Sequence, residues 1–302
     1  MHQARLAPEE PPSAREVESA ERVAACPAGP GLFVPGLLQS CRGRTGEGKL
    51  LTAMALAELG VGIGSTVANG PGSNATGVPF FALADLFTLS VMDLSLENQR
   101  ALRLSYVPQE SVGELARAPF SGEVLSRPAV WAGIAGSLAA GILVSALVDG
   151  GVDTHNAGKR PILFGHEVNG ALGYPAAAAI GVVLFEHVAL AEEMAFRGVL
   201  QSGMARSYGE TPAWVTASIV FGLAHASNIV FLDRSQRLTY LAVGVPFITL
   251  LGSYLGLAYR WSGYSLAPSV AIHFWYDLLL ETAAFVADPK NSPLAVIWGT
   301  PF

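Results

Sequence analysis

Charged residues are scarce in this chain: they make up 14% of its 302 residues, against about 25% in soluble domains. That deficit, with a mean hydropathy of +0.41, excludes an ordinary soluble domain and points to the bilayer. A basic surplus is missing too. Eighteen Lys and Arg face 24 Asp and Glu, a net charge of -6, which leaves no patch able to follow a phosphate backbone and excludes nucleic acid as a partner. Cysteine is reduced to Cys26 and Cys41, too few for a disulfide framework or a Cys-based zinc site. Both precede the first apolar span and read as unpaired cytoplasmic thiols. Val23-Ala24-Ala25-Cys26 has the outline of a lipoprotein cleavage box, but the Glu-, Arg- and Pro-rich stretch before it contains no apolar h-region, so a cleaved signal is not expected.

What the chain does have is long apolar runs. Residues 1–49 read as a cytoplasmic, disordered N-terminal tail, with Pro, Ala, Glu and Arg in its first thirty positions. Residues 50–96 read as a transmembrane helical hairpin of two weak spans, 50–68 and 78–96. Glu58, Asp85 and Asp93 interrupt them, and Gly70 to Asn74 supplies the turn. Asp85 and Asp93 either line a polar path or, as the plainer reading, face other helices. Residues 97–127 are the longest polar interval and read as a cytoplasmic linker. Pro128 opens a clean span over 129–148, and further spans follow at about 171–203, 213–231, 238–259 and 264–286. Gly252 and Gly256 form a small-xxx-small pair suited to close helix packing. Residues 287–302 are a short C-terminal tail. The fold class is therefore all-α, a polytopic transmembrane bundle of about seven spans.

Orientation follows from basic residues. With the N-terminus inside, the cytoplasmic segments carry twelve Lys and Arg and the opposite side five, with Arg197 inside the bundle. This places the N-terminus in the cytoplasm. The Ala- and Gly-rich composition favours a bacterial inner membrane.

Within the fourth span, Glu192-Glu193-Met194-Ala195-Phe196-Arg197 puts two carboxylates and a guanidinium at membrane depth, where a charge is costly and a functional role is the default. Two other runs could face it, Phe221 to His225 and His273 to Asp277. Arg206, Pro212 and Arg260 mark the cytoplasmic ends of the three helices. Glu192 lies 14 residues from its marker and each histidine 13 from its own, so all three sit about 20 Å along their helices from one side. Groups at one depth on three helices can converge. Glu193 and Arg197 are four apart and can pair on one face, as can His273 and Asp277. Glu192 faces about 100° from Glu193, so the two acids divide the work: one pairs with Arg197, the other points at the cavity. Burial would move a lone carboxylate toward the range useful to a general base.

Glu-Glu-Met-Ala-Phe-Arg-Gly, Phe-Gly-Leu-Ala-His and Ser-Leu-Ala-Pro-Ser-Val-Ala-Ile-His-Phe-Trp-Tyr-Asp together resemble the CPBP family of CAAX proteases and bacteriocin-processing enzymes. Its signatures EExxxR, FxxxH and HxxxN/D occur here in order, over about residues 178–281. Asp277 stands where many members carry Asn, and Ala267-Pro268 where Trp-Pro is usual. The resemblance implies an intramembrane protease domain over 128–286, its last five spans forming the catalytic core. It also implies a membrane-proximal peptide or protein substrate, lipidated in CAAX processing proper. Glu192 would activate the attacking water, and His225 and His273 would bind a metal or the oxyanion. Asp277 would support His273, and Glu193 with Arg197 would hold the helix. Zinc bound by His225, His273 and Glu192 and a metal-free glutamate mechanism are both open; ligands drawn from three helices make the zinc inference from spacing weak.

Plainer alternatives stand beside this. The same residues would suit a non-catalytic immunity or scaffold protein binding peptides in the cavity, because polar side chains also hold membrane helices together. A proton- or ion-coupled carrier is disfavoured by the lack of an internal repeat between halves. Glu186 shares a face with Glu193, and His187 is its neighbour; both suit interhelical hydrogen bonding. His155 and His166 fall in a polar loop. Asn228, three after His225, could reach the cavity. Tyr240, Tyr254 and Tyr259 read as packing or interfacial aromatics.

Overall fold

The computed structural model describes residues 26, 33–70, 74–149, 154–163, 166–232 and 234–290. Most of the expected N-terminal tail, and of the C-terminal tail, lies outside these residues. The chain is a polytopic helical bundle, and among the described residues seven helices are long and apolar enough to cross a membrane: Thr45–Ala68, Gly77–Ala101, Pro128–Ser145, Gly170–Tyr208, Glu210–Val230, Arg234–Trp261 and Ala267–Ala287. Both weak spans of the hairpin are among them.

The described part of the expected tail is folded, which corrects its reading as disordered to residue 49. A short helix α1 (Leu37–Cys41) precedes α2 (Thr45–Asn69) and packs with it on α3 (Asn74–Ala101). Gly36 makes the turn with φ 85°, and a Cβ on Gly48 would stand 2.4 Å from the Gly36 carbonyl, so glycine at both positions lets the two segments touch. Polar contacts lock the layer. The buried Gln39 Nε2 donates to Ser90 O (3.0 Å) and Asp93 Oδ2 (3.1 Å), and Arg44 pairs with Asp93 at 2.7 Å. Asp93 is therefore a structural ion-pair partner.

Cys26 and Cys41 are bonded to each other, with Cα atoms 5.9 Å apart. This corrects their reading as free thiols: the Gly36 turn and α1 return the chain to Cys26, a proximity that sequence spacing does not show. A disulfide belongs to an oxidising compartment. That is the opposite of the side the basic-residue count gives this segment.

Residues 97–127 also differ from expectation. The first five continue α3, and the rest folds onto the bundle instead of acting as a spacer. Helix α4 (Val112–Arg117) starts with a capping box: Ser111 accepts from the Glu114 amide and Glu114 from the Ser111 amide. Hydrogen bonds donated by the Ser111 amide and hydroxyl, both at 2.8 Å, hold the Glu114 carboxyl below its ordinary range. A 3-10 turn (Ala118–Phe120) and α5 (Gly122–Leu125) follow. Arg100 donates to the Pro108 and Glu110 carbonyls, both at 2.7 Å, and Trp275 Nε1 donates to Pro119 O at 2.7 Å. Phe120 packs edge-on against Phe274 at 5.3 Å. Val107, Leu115 and Val124 of this polar run are buried in the bundle's core clusters, which its overall composition hid.

The remaining elements are α6 (Pro128–Asp149), a two-stranded ribbon β1 (Ile162–Leu163) and β2 (His166–Glu167), α7 (Gly170–Glu193), a π-helical stretch (Met194–Gln201) and α8 (Ser202–Tyr208). Then come α9 (Glu210–His225), a 3-10 turn (Ala226–Phe231), α10 (Arg234–Thr239), a second π-helical stretch (Tyr240–Gly244), α11 (Val245–Trp261) and α12 (Ala267–Ala287). Asn169 caps α7 by accepting from the Ala171 amide at 2.9 Å. Helix α12 is central, packing on α6, α7, α11 and the folded linker. Its buried side chains include Val270, Ala271, Ile272 and Phe274. The α2–α3 hairpin joins the bundle through α3 against α7, with Leu86, Leu89 and Leu96 in one core with Phe185, Ala189 and Met194.

Candidate active site

Helix α7 brings two consecutive glutamates to its end, where the backbone widens into the π-helical stretch. Such stretches are uncommon and often fall at functional sites. The Arg197 carbonyl accepts from the Ser202 amide and also from Ser202 Oγ, the latter at 3.2 Å. Arg197 is 1% exposed, so its charge needs partners. It finds them in Glu193 Oε1, 2.8 Å from Nη1, and the Gly252 carbonyl, 2.9 Å from Nη2. Its guanidinium carbon lies 4.2 Å from the centroid of the Phe221 ring, a cation–π distance.

Gly252 and Gly256 let α11 come close. A Cβ on Gly252 would meet Phe221 at 2.6 Å, and one on Gly256 would meet Gln201 Oε1 at 2.8 Å. Their exposed carbonyls become acceptors, Gly252 O for Arg197 and Gly256 O for Gln201 Nε2 at 3.1 Å. The glycine pair, expected only to pack, also anchors the arginine behind the site.

Glu193 does a second job. The oxygen that accepts from Arg197 lies 2.9 Å from His273 Nδ1. A carboxylate only accepts, so Nδ1 carries the proton and Nε2 faces the cavity. Asp277 Oδ2 lies 3.3 Å from Nε2, the cavity-facing nitrogen. Glu193 thus fixes the proton at Nδ1, and Asp277, which the resemblance implies as the support of His273, faces the other ring nitrogen.

His225 is oriented by its own helix. Its Nδ1 is 2.8 Å from the Phe221 carbonyl, which can only accept, so in the neutral ring Nε2 holds a lone pair. Phe221, the first residue of its motif, also lies 4.7 Å from the His225 ring and 6.1 Å from His273, between the two imidazoles and Arg197.

Glu192 stands between the histidines. Its Oε1 is 3.7 Å from His225 Nε2 and its Oε2 3.8 Å from His273 Nε2. All six expected residues, Glu192, Glu193, Arg197, His225, His273 and Asp277, are in one connected cluster. Glu192, His225, His273 and Asp277 line a cavity of about 680 Å³, counting its open mouth; Glu193 and Arg197 lie behind it. The other walls are largely apolar, among them Val188, Ile248, Leu251, Leu255 and Ile272, with Ser137, Asn228 and Tyr276 as further polar members.

Zinc on Glu192, His225 and His273 and a metal-free mechanism were both left open by the sequence; among the described residues no group of three His, Cys, Asp or Glu side chains stands in a metal-holding arrangement.

Other candidates fall elsewhere. His187 is buried with Nδ1 3.5 Å from Glu58 Oε1 of α2, and Asp85 is buried in α3; neither lines the cavity. Glu186 is half-buried, and His155 and His166 are exposed. Asn228 does reach the cavity. Tyr240, expected only to pack, donates to the His225 carbonyl at 3.0 Å. Its signal is absent from the sequence because fifteen residues and a turn separate the two.

An acid, two imidazoles and a second acid inside a helical membrane bundle define a membrane protein with the groups for hydrolysis. Residues 173–279 match the family model of type II CAAX prenyl endopeptidases, described as Rce1-like. That stretch contains all six residues and is similar to this family, which is part of the CPBP group. The family is one of CAAX-type endopeptidases. No curated protein and no solved structure matches the chain.

Proposed function

We propose that this protein is an intramembrane endopeptidase that hydrolyses a membrane-proximal peptide with a glutamate-activated water. The observation that carries the reading is the pair of gaps around Glu192. At 3.7 and 3.8 Å they are too long for direct hydrogen bonds and within reach of a bridging water. Glu192 Oε1 and the neutral His225 Nε2 are both acceptors, so a water between them donates one hydrogen to each and presents its lone pair to the cavity. Glu192 takes the proton as the water oxygen attacks the scissile carbonyl. His273, held by Glu193 at Nδ1, offers a proton on Nε2 to the developing oxyanion when the ring is protonated. The proton on Glu192 then passes to the departing amine as the C–N bond breaks, leaving an amine and a carboxylic acid that loses its remaining proton to solvent.

The apolar walls suit a substrate with a lipid or strongly apolar segment beside the scissile bond, and the family favours a prenylated cysteine. Placement in a bacterial inner membrane rests on composition.

The test is cleavage of a farnesylated CAAX peptide and its unprenylated twin by the purified protein in nanodiscs. The wild type cleaves at least one of them. Glu192→Gln loses about a hundred- to ten-thousand-fold in kcat with unchanged melting, the range that a general base typically contributes. Equal turnover by the two proteins sinks the reading, and binding without cleavage by the wild type favours a peptide-binding scaffold.

A further inference from the structure

Asn228, in the turn after α9, is 7% exposed and lines the cavity with Glu192 and His225. Its Nδ2 donates to the Tyr240 hydroxyl at 3.1 Å, and that hydroxyl donates to the His225 carbonyl at 3.0 Å. A carbonyl oxygen can only accept, so the single Tyr240 proton is committed to His225. Toward Asn228, Tyr240 can then only accept. This settles the orientation of the amide, which distance alone would leave ambiguous: Nδ2 points at Tyr240 and Oδ1 points away. Among the described residues Oδ1 has no hydrogen-bond partner, although it is buried. Buried acceptors are rarely left without a donor, and because Asn228 lines the cavity a bound ligand can supply one.

Apolar residues such as Ile248 and Leu251 line the cavity with Asn228, surroundings that suit a neutral donor. A backbone N–H is the neutral donor that every peptide carries at fixed intervals. We propose that Asn228 Oδ1 accepts the backbone N–H of a substrate residue flanking the scissile bond, and so sets the register in which the carbonyl meets Glu192. Asn228 is thus a substrate-positioning residue, and its place in the cavity rests on the peptidase reading above. The Asn228–Tyr240–His225 chain couples that register to the helix end that carries the imidazole. A peptide one residue out of register would leave Oδ1 without its donor and hold its carbonyl away from the water.

A set of depsipeptides tests this on the full chain in nanodiscs. Each replaces one backbone N–H near, but not at, the scissile bond of a cleaved peptide with an ester oxygen. In the wild type, one ester position lowers kcat/KM roughly ten-fold, the effect of one buried hydrogen bond lost. Asn228→Ala lowers kcat/KM for the all-amide peptide by a similar factor and shows no further loss at that ester. Asn228→Asp, which keeps an acceptor, still discriminates against it. If Asn228→Ala does not fold, Asn228→Asp and Tyr240→Phe carry the comparison. Tyr240→Phe frees the amide to rotate and reduces the discrimination at that ester. Equal ester penalties in all variants, or no penalised position in the wild type, overturn the proposal. A wild type that cleaves none of the peptides overturns the peptidase reading itself, a separate and recognisable failure.

Discussion

Glu193 Oε1 lies 2.9 Å from His273 Nδ1 and so fastens the end of α7 to the middle of α12. The same oxygen accepts from Arg197, which is tied in turn to the Gly252 carbonyl of α11. One carboxylate oxygen thus joins three helices and sets which face of His273 meets the cavity. It explains why the two adjacent glutamates are not interchangeable.

We expect Glu193→Gln to differ in kind from Glu192→Gln. It leaves Arg197 buried with an uncompensated charge, and breaking a buried pair this way costs about 3–5 kcal/mol. Both the melting temperature and kcat should fall, measured by thermal unfolding in detergent and by peptide cleavage. An undisturbed melt in this variant would show that the Glu193 link is dispensable.

Arg197→Lys should be poorly tolerated. An ammonium is a point charge and cannot reproduce the forked reach to Glu193 and Gly252 O, nor the flat stacking on Phe221. The expected result is a lower melting temperature with residual activity; wild-type melting and turnover would contradict it.

Gly252→Ala tests the helix approach. The new methyl would stand 2.6 Å from Phe221 Cδ1 and 3.2 Å from Arg197 Nη2. Overpacking of this sort costs about 1–3 kcal/mol. Gly60→Ala in α2, with no atom within 4 Å of the added Cβ, serves as the control. It should be neutral or stabilising by up to about 1 kcal/mol, the helix-propensity gain.

Asp277→Asn should keep kcat within about ten-fold, since an amide oxygen can still face His273 Nε2, now 3.3 Å from the carboxylate. Asp277→Leu removes the acceptor and should lose considerably more. Similar rates for the two variants would mean that Asp277 does not act through His273.

Chelation provides a separate check on the chemistry. If Glu192 activates the water directly, prolonged treatment with 1,10-phenanthroline leaves kcat within about two-fold, because no step removes a proton through a metal-bound water. Loss of activity restored by added zinc would reverse that conclusion.

Much of the site was legible before any coordinates. Glu192, His225 and His273 stand at one depth because each lies 13 or 14 residues from a residue that marks the same end of its helix, and helix rise converts that count into distance. The Glu193–Arg197 pair follows from four-residue spacing. What was not legible depends on contacts between segments distant in sequence. Glu193 meets His273 across 80 residues, and Tyr240 reaches His225 around a turn. The folded stretch before residue 50 was hidden because its polar residues find partners in α3, Gln39 on Ser90 and Arg44 on Asp93.

By itself, the sequence determined that the chain is a helical membrane bundle and that three spans carry its costly polar groups. Apolar run length and residue spacing are local properties, written along one chain. Only the tertiary structure decided which nitrogen of each histidine meets Glu192, which acid orients His273 and which bonds hold Arg197. Those choices depend on side-chain directions across helix interfaces, where a few tenths of an ångström separate a hydrogen bond from a gap and no periodicity records the difference.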